Sequence, residues 1–148
     1  MTKFCQQCGG EYKTGETCLD RFYAIQLQEQ ADPAYYAVHH LSVPCYYLQH
    51  NLYSRRGWLE VWKLLAKFVF EDWTPAMARR ENRAKADSGK RDWSFTRGEK
   101  LTSVEKIRWT FSIMDVRFDT AEHYCADVIR WAETILADSE KLLESNCS

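Results

Sequence analysis

The first helical pattern of the chain is introduced by a capping signal near the N-terminus. Thr17 and Asp20 have the spacing of a capping box, so we expect a helix to begin at about Cys18. Asp32-Pro33 ends this pattern, because proline lacks the N–H of a helical hydrogen bond and disfavours helix at the preceding residue. The apolar residues that recur at helical spacing here are Leu19, Phe22, Tyr23 and Leu27.

A second helical pattern runs from Pro33 to about Asn51. Pro44 lies inside it and would clash with the carbonyl of residue 40, so we expect a kink or a break near His40. The sequence does not decide between the two. The predicted buried stripe consists of Ala34, Val38, Leu41, Cys45, Leu48 and Leu52.

Two further helices are predicted in the middle of the chain. Ser54 opens a helix with a broad apolar face that ends near Trp73. Thr74-Pro75 has the N-cap and first-turn chemistry of another helix, which extends to about Ala86 with a basic, mostly solvated surface. The apolar face of the first of these helices consists of Trp58, Val61, Trp62, Leu65, Phe68 and Val69.

The remaining third combines a polar segment, an alternating segment and one long helix. Residues 87–103 are rich in Ser, Gly and charge, which predicts a mobile loop. Trp109, Phe111 and Ile113 alternate with other residues and favour a short strand or extended segment. From Asp119 the apolar spacing is helical again and predicts a final helix that reaches about Leu143.

These patterns predict a mainly α fold, a single-domain helical bundle with at most one short extended segment near 109–114. The chain of 148 residues has the size of one domain, and its 45% hydrophobic content is sufficient for a core. The expected parts of the single domain 1–148 are an N-terminal metal knuckle at 1–16, helices over 17–86, a mobile loop at 87–103, and the extended segment with the last helix over 104–148.

Charge and hydropathy narrow the class of protein. Twenty basic and twenty-one acidic residues give a formal charge of -1, so the whole molecule has no field that favours nucleic acid or an anionic membrane. The sequence shows no membrane-spanning run and no apolar signal-peptide core, which predicts a cytoplasmic protein without a membrane partner. Its partners and oligomeric state are not indicated by any of these patterns.

The N-terminal Cys5-x-x-Cys8 pair is the clearest candidate for chemistry. Six cysteines at uneven spacing, without an export signal, favour reduced thiols and metal over disulfides. A tight turn can direct two thiolates toward one zinc ion, which takes about four nitrogen or sulfur ligands. The pair could instead be redox-active or have no role. We therefore predict a zinc knuckle, with those two alternatives open.

The other predicted zinc ligands are one cysteine and one histidine. Cys18 lies at a helix start, where the helix dipole favours a thiolate, although it could also be a small core residue. The fourth ligand is expected to be His39 or His50, with His40 as the next candidate. In an unbroken helix His39 and His50 stand about 16 Å apart along the axis, so one ion could not bind both. Each histidine could instead be hydrogen-bonded at the edge of the core.

Asp115 and His50 are the candidates for catalysis at an open metal site. Asp115 lies in an apolar run, where a carboxylate is costly unless it is paired, so proton transfer is conceivable. A turn or capping role before the last helix is the competing interpretation. In the catalytic alternative, His50 or Asp115 would act as a base beside a metal-bound water.

A basic segment between Met77 and Lys100 raises the alternative of nucleic-acid binding. Its eight basic residues face four acidic ones, and Trp93 and Phe95 are interleaved with them. A charged, solvated surface explains the same pattern, and no recognised nucleic-acid motif accompanies it. Nucleic acid is therefore an alternative partner, not the favoured one.

Several short motifs together are similar to a family. They are Cys5-Gln6-Gln7-Cys8-Gly9, Thr17-Cys18, Val38-His39-His40-Leu41-Ser42-Val43, Tyr46 or Tyr47, Gln49-His50, the segment 109–116, Tyr124 and Trp131-Ala132. In this combination the chain resembles an uncharacterised bacterial domain family of unknown function over nearly its whole length. The resemblance implies that the family motif marks Cys5, Cys8, Cys18, His39, His50 and Asp115, and it implies no activity. Asn51 stands where the motif leads us to expect proline.

The sequence thus favours a zinc-binding helical domain that acts as a binding or interaction protein with a structural zinc site. The first alternative is a metal-dependent, hydrolase-like enzyme with an open zinc position. The second is a nucleic-acid-binding regulator that uses the basic 77–100 segment. Standard enzyme motifs, such as a Gly-rich phosphate loop or His-Glu-x-x-His, are absent from the sequence.

Overall fold

The chain begins with a small antiparallel hairpin. The computed structural model describes residues 3–12, 15–86 and 96–146. Strands β1 (Lys3–Phe4) and β2 (Glu11–Tyr12) pair with Lys3 opposite Tyr12 and Phe4 opposite Glu11. The connecting turn carries the Cys-x-x-Cys pair, so the knuckle is built on a two-stranded scaffold.

Helices make up most of the remaining described chain, which confirms the mainly α fold. They are α1 (Cys18–Ala31), α2 (Pro33–Tyr36), α3 (His39–Gln49), α4 (Arg55–Phe70), α5 (Pro75–Ala86) and α6 (Ala121–Asn146), with 3-10 helices at Thr102–Lys106 and Ile113–Asp115. Thr17 and Ser54 cap α1 and α4 as expected, because their side chains accept hydrogen bonds from first-turn amides. Among the described residues, no helix is both long and apolar enough to cross a bilayer.

The long helix α6 lies at the centre of the packing and contacts α2, α3 and α4. Its fully buried side chains include Tyr124 and Trp131, and α4 contributes the equally buried Trp58. The indole N–H of Trp58 donates to the backbone oxygen of Leu48 at 3.0 Å, so α3 and α4 are joined by a hydrogen bond as well as by apolar contact. The core therefore fixes α3, whose C-terminal end carries His50.

The second predicted helix is broken, which is one of the two outcomes, a kink or a break, that the sequence left open. The chain turns at Ala37 and Val38, between α2 and α3, and Pro44 is accommodated inside α3. The predicted stripe is confirmed in its middle part, since Val38, Leu41, Cys45 and Leu48 are buried, but its two ends, Ala34 and Leu52, are exposed. His39 and His50 consequently lie at opposite ends of α3.

The structure adds two details that the predicted patterns left open. The apolar residues Leu19, Tyr23 and Leu27 of α1 are exposed, whereas the buried stripe of α1 consists of Cys18, Phe22, Ile25 and Glu29. Trp109 and Phe111 belong to no strand, and the chain at 109–114 enters the second 3-10 helix. The reasons are tertiary contacts, which are discussed below.

A buried amide connects three parts of the fold. Gln49, which is fully buried, donates from Nε2 to the backbone oxygen of Phe111 and accepts at Oε1 from the indole N–H of Trp131 at 2.9 Å. Gln49 therefore joins helix α3 to helix α6 and to the irregular segment before the second 3-10 helix. It is the residue directly before His50.

Candidate metal centre

The hairpin turn brings the first two cysteines together through backbone hydrogen bonds. Cys5 N–H donates to the oxygen of Gly10 at 2.8 Å, and Gly9 N–H donates to the oxygen of Cys5 at 2.9 Å. Gly9 has φ +73°, a left-handed conformation that glycine adopts without the steric penalty of a side chain. The amide of Gly10 points at the sulfur of Cys8, 3.4 Å away, which favours the thiolate.

Cys18 joins this pair from the first turn of α1. The side chain of Thr17 accepts from the amide of Asp20, and the carboxylate of Asp20 accepts from the amide of Thr17, so the predicted capping box is confirmed. This cap fixes Cys18 at the positive end of the helix dipole. Its sulfur lies 3.5 Å from that of Cys8, much longer than a disulfide of about 2.05 Å. Both thiols are buried and free.

His50 completes the group from the C-terminal end of α3. Its Nδ1 lies 2.8 Å from the backbone oxygen of Tyr46, which can only accept, so Nδ1 carries a proton. The ring stacks on the ring of Tyr46 with centroids 4.1 Å apart. Its Nε2 is buried and has no hydrogen-bond partner among the described residues. The ring is thus held with Nε2 buried on the side away from Tyr46.

These four residues have the geometry of a metal site. The sulfurs of Cys5, Cys8 and Cys18 and a ring nitrogen of His50 all lie within 4.8 Å of one another. A tetrahedral zinc ion about 2.3 Å from each sulfur would separate two sulfurs by about 3.8 Å, close to the 3.5 Å between Cys8 and Cys18. Within the described ranges, no other set of three or more His, Cys, Asp or Glu ligand atoms comes together in this way. The group is therefore able to hold a metal ion.

The electrostatics of the cluster favour an added cation. Hydrogen bonds from Cys18 and Cys8 lower the pKa of Cys5, whereas contacts with Cys5 and Cys8 raise the pKa of Cys18. One sulfur can ionise easily, but three adjacent thiolates repel one another. Burial opposes the protonation of His50, yet the neighbouring sulfurs of Cys5 and Cys8 outweigh it and raise its pKa to about 9. A divalent cation at the centre would satisfy all four groups.

Gly10 shows how closely the knuckle packs against the second 3-10 helix. A Cβ on Gly10 would lie 2.6 Å from Ser112 Oγ and 2.9 Å from Met114 Cγ. We expect Gly10→Ala to lower the free energy of unfolding by about 1–3 kcal/mol, because buried overpacking forces its neighbours to shift. Chemical denaturation measures this loss. In a Ser112→Ala background the nearest clashing atom is gone, so the loss must be smaller; an equal loss in both backgrounds contradicts the packing argument.

The structure distinguishes among the histidines that the sequence left as alternative candidates for the fourth ligand. His39 lies at the other end of α3 from the thiols and is not part of their group. Its Nδ1 lies 3.3 Å from a carboxylate oxygen of Glu29 on α1. His40 packs its ring edge-on against Phe68, with centroids 4.8 Å apart. Of His39 and His50, the structure brings only His50 to the cysteines.

Asp115 is an exposed capping residue. Its carboxylate accepts from the amide of Ser112 at 2.9 Å, and Ser112 in turn accepts from the amide of Met114, which forms a capping box on the second 3-10 helix. Its carboxylate is not among the ligand atoms that come together at the thiols. This geometry matches the capping interpretation of Asp115.

The remaining sequence candidates lie away from the thiols or outside the described residues. Cys45 is fully buried in α3, and the sulfur of Cys125 donates to the backbone oxygen of Ala34 at 3.3 Å. Of the basic 77–100 segment, positions 87–95 lie outside the described residues, as does Cys147. Cys45 and Cys125 thus have packing roles away from the thiol group.

Two buried polar residues were missed by the sequence interpretation. Glu29 is 1% exposed and Gln49 is 0% exposed, although both are residue types that normally face solvent. One signal was available for Glu29, which falls in helical register with Cys18, Phe22 and Ile25. Gln49 follows Leu48 directly, and no local pattern distinguishes it from a surface glutamine.

Comparison with known proteins agrees with this picture and adds no activity. No curated protein and no solved structure matches the chain significantly. Residues 3–140 match a family described as a family of unknown function, DUF5946. The matched range includes all four residues of the metal group and the helices that position them. The chain therefore belongs to DUF5946, a family of unknown function.

Proposed function

We propose that the protein is a zinc-binding helical domain in which Cys5, Cys8, Cys18 and His50 hold one zinc ion. The observation that carries this proposal is the buried Nε2 of His50, which has no hydrogen-bond partner among the described residues and lies beside three thiols. An unpaired buried nitrogen is costly, and zinc coordination removes that cost. The bond from Nδ1 to Tyr46 supplies the orienting contact that zinc-bound histidines normally have.

The geometry supports a structural zinc more than a catalytic one. Three sulfurs and one nitrogen already make four protein ligands, whereas catalytic zinc keeps one position open for water or substrate. Asp115, the candidate base, has its carboxylate occupied by the Ser112 amide. When bound, zinc would supply a cross-link between the hairpin turn, the start of α1 and the end of α3.

A closed metal site would leave the biological activity to another part of the molecule. We infer a binding or interaction protein, because the metal would then stabilise the fold that presents a surface and would not itself meet a substrate. Three thiols kept free for a metal also fit a reducing compartment such as the cytoplasm.

Metal analysis combined with X-ray absorption tests this proposal. The purified protein should contain one zinc per chain, with a first shell of three sulfurs and one nitrogen and no oxygen. His50→Gln should remove the nitrogen scatterer and weaken zinc retention against a chelator. The matched variant His39→Gln should leave both unchanged. An oxygen ligand in the wild-type spectrum would favour the catalytic alternative, and a protein purified without any metal would end the zinc proposal.

A further inference from the structure

A second buried polar group lies at the opposite end of α3 from the thiols. The side chain of Glu29 is 0% exposed, and its two carboxylate oxygens accept from the hydroxyl of Ser42 at 2.7 and 2.9 Å. The Nδ1 of His39 lies 3.3 Å from the same carboxylate. A buried carboxylate is expensive to desolvate, so each of these contacts is needed to keep it in the core.

His39 is held in one orientation by this carboxylate and by a stacked ring. Its imidazole lies on the ring of Tyr36, with centroids 4.6 Å apart and planes 12° from parallel. With Nδ1 directed at Glu29, the other ring nitrogen, Nε2, lies on the side of the ring away from that carboxylate. The side chain is 31% exposed, so part of the ring is accessible to a ligand. A carboxylate on one imidazole nitrogen is the arrangement that positions functional histidines.

The exposed edge of His39 lies in a cavity of about 500 Å³ at the starts of α3 and α5. Tyr36, His40, Thr74 and Arg79 also line it, and none of its lining residues is acidic. Its volume is in the range of small-molecule sites, about 300–1,000 Å³. The guanidinium of Arg79 is exposed and has no ion-pair partner among the described residues. The cavity therefore offers hydrogen-bond donors and positive charge without a competing carboxylate.

We propose that this cavity binds the phosphate group of a small molecule, with His39 Nε2 and the Arg79 guanidinium as its principal contacts. With Nδ1 directed at Glu29, the other nitrogen of His39, Nε2, can offer its N–H to a phosphate oxygen. Arg79 offers the planar fork of N–H donors that suits phosphate oxygens. The inference concerns a site separate from the metal centre, and it does not depend on zinc.

Burial is the largest influence on the Glu29 carboxyl, whose pKa is raised overall. Burial raises the pKa of Glu29, while the hydroxyl of Ser42 and the charge of His39 lower it. The contact between Nδ1 and the carboxyl orients the imidazole so that Nε2 lies on the side away from Glu29. Glu29 is a positioning residue in this scheme, because it acts through His39 and does not touch the ligand.

A titration with inorganic phosphate, followed by NMR at constant ionic strength, tests the proposal. We expect saturable shifts at His39, His40 and Arg79, and weaker binding of acetate. Arg79→Ala should weaken phosphate binding about tenfold or more, since it removes a charge-assisted contact. The matched control is Arg80→Ala, which removes the same charge from the neighbouring exposed position outside the cavity and should change the affinity less than about twofold.

His39→Asn separates ligand binding from the structural contact with Glu29. Asparagine keeps an N–H donor near the position of Nδ1 but has no atom at Nε2, so phosphate binding should fall while the melting temperature is retained. If that variant does not fold, Arg79→Ala decides, because Arg79 is exposed. The proposal is overturned if phosphate causes no saturable shift, if acetate binds as tightly, if Arg80→Ala weakens binding as much as Arg79→Ala, or if folded His39→Asn binds normally.

Discussion

Cys8→Ser is expected to release the metal and to lower the free energy of unfolding by at least about 4 kcal/mol. Structural zinc contributes roughly 10–16 kcal/mol to small zinc-dependent domains, and total stabilities are about 5–15 kcal/mol. The sulfur of Cys8 is buried, lies 3.5 Å from that of Cys18 and accepts from the amide of Gly10. Without it the remaining ligands cannot close a four-coordinate site. Zinc content per chain and urea unfolding measure the two effects.

Cys125→Ser is the matched control for that experiment. Cys125 is half-buried in α6, and its sulfur donates to the backbone oxygen of Ala34, a bond that a serine hydroxyl can also make. We expect an unchanged zinc content and a change in stability within about 0.5 kcal/mol. A Cys8→Ser protein with full zinc content and wild-type stability, or an equal loss in Cys125→Ser, would refute the role assigned to the thiol cluster.

The helix starts could be predicted because their signals are local. Thr17 and Ser54 each accept a hydrogen bond from an amide three residues further along the chain, so the cap and the helix that it begins lie within one turn of sequence. The start of α2 is equally local, since Asp32 caps this helix and Pro33 occupies its first position, whereas the sequence did not decide between a kink and the observed break at Ala37 and Val38. Cys5, Cys8 and Cys18 could be predicted as neighbours for the same reason, because they lie close together in sequence.

The buried face of α1 could not be predicted from hydrophobicity, because it includes a carboxylate. Leu19, Tyr23 and Leu27 form the more apolar stripe, yet Leu27 is 73% exposed and Glu29 is 1% exposed. Glu29 is buried because Ser42 on α3 supplies its hydroxyl, and that partner is thirteen residues away in sequence. A helix face is thus chosen by what packs against it, and the hydrophobic pattern alone does not contain this information.

The segment 109–114 resembles a strand in sequence but has its polar groups satisfied by side chains. The amide of Thr110 donates to the carboxylate of Asp138 at 2.8 Å, and the oxygen of Phe111 accepts from Gln49. These bonds replace the ladder that a neighbouring strand would provide. The alternation of Trp109, Phe111 and Ile113 therefore does not reflect a strand, and Ser112 between the last two is buried as well.

The choice between His39 and His50 also depended on tertiary structure. Both lie at ends of α3, and only the position of the hairpin and of α1 decides which end meets the thiols. The assignment of the whole chain to one domain stays a prediction.

Gln49→Leu is expected to lower the free energy of unfolding by about 2–4 kcal/mol. The amide of Gln49 satisfies the indole N–H of Trp131 and the backbone oxygen of Phe111, and all of these groups lie in the core. Leucine has a similar volume but offers neither a donor nor an acceptor, so two buried polar groups lose their partners. Chemical denaturation measures the loss, and Gln30→Leu on the exposed surface of α1 should change stability by less than about 0.5 kcal/mol.

A double-mutant cycle distinguishes this hydrogen-bond network from a general sensitivity of the core. Trp131→Phe removes the N–H that donates to Gln49. In that background Gln49→Leu leaves one fewer buried group unsatisfied, so it must lower the free energy of unfolding by less than in the wild type. Equal costs in the two backgrounds would show that the amide and the indole do not interact energetically. Because Gln49 precedes His50 directly, the same substitution should also weaken zinc retention, since the end of α3 loses the contacts to α6 that hold His50 toward the thiols.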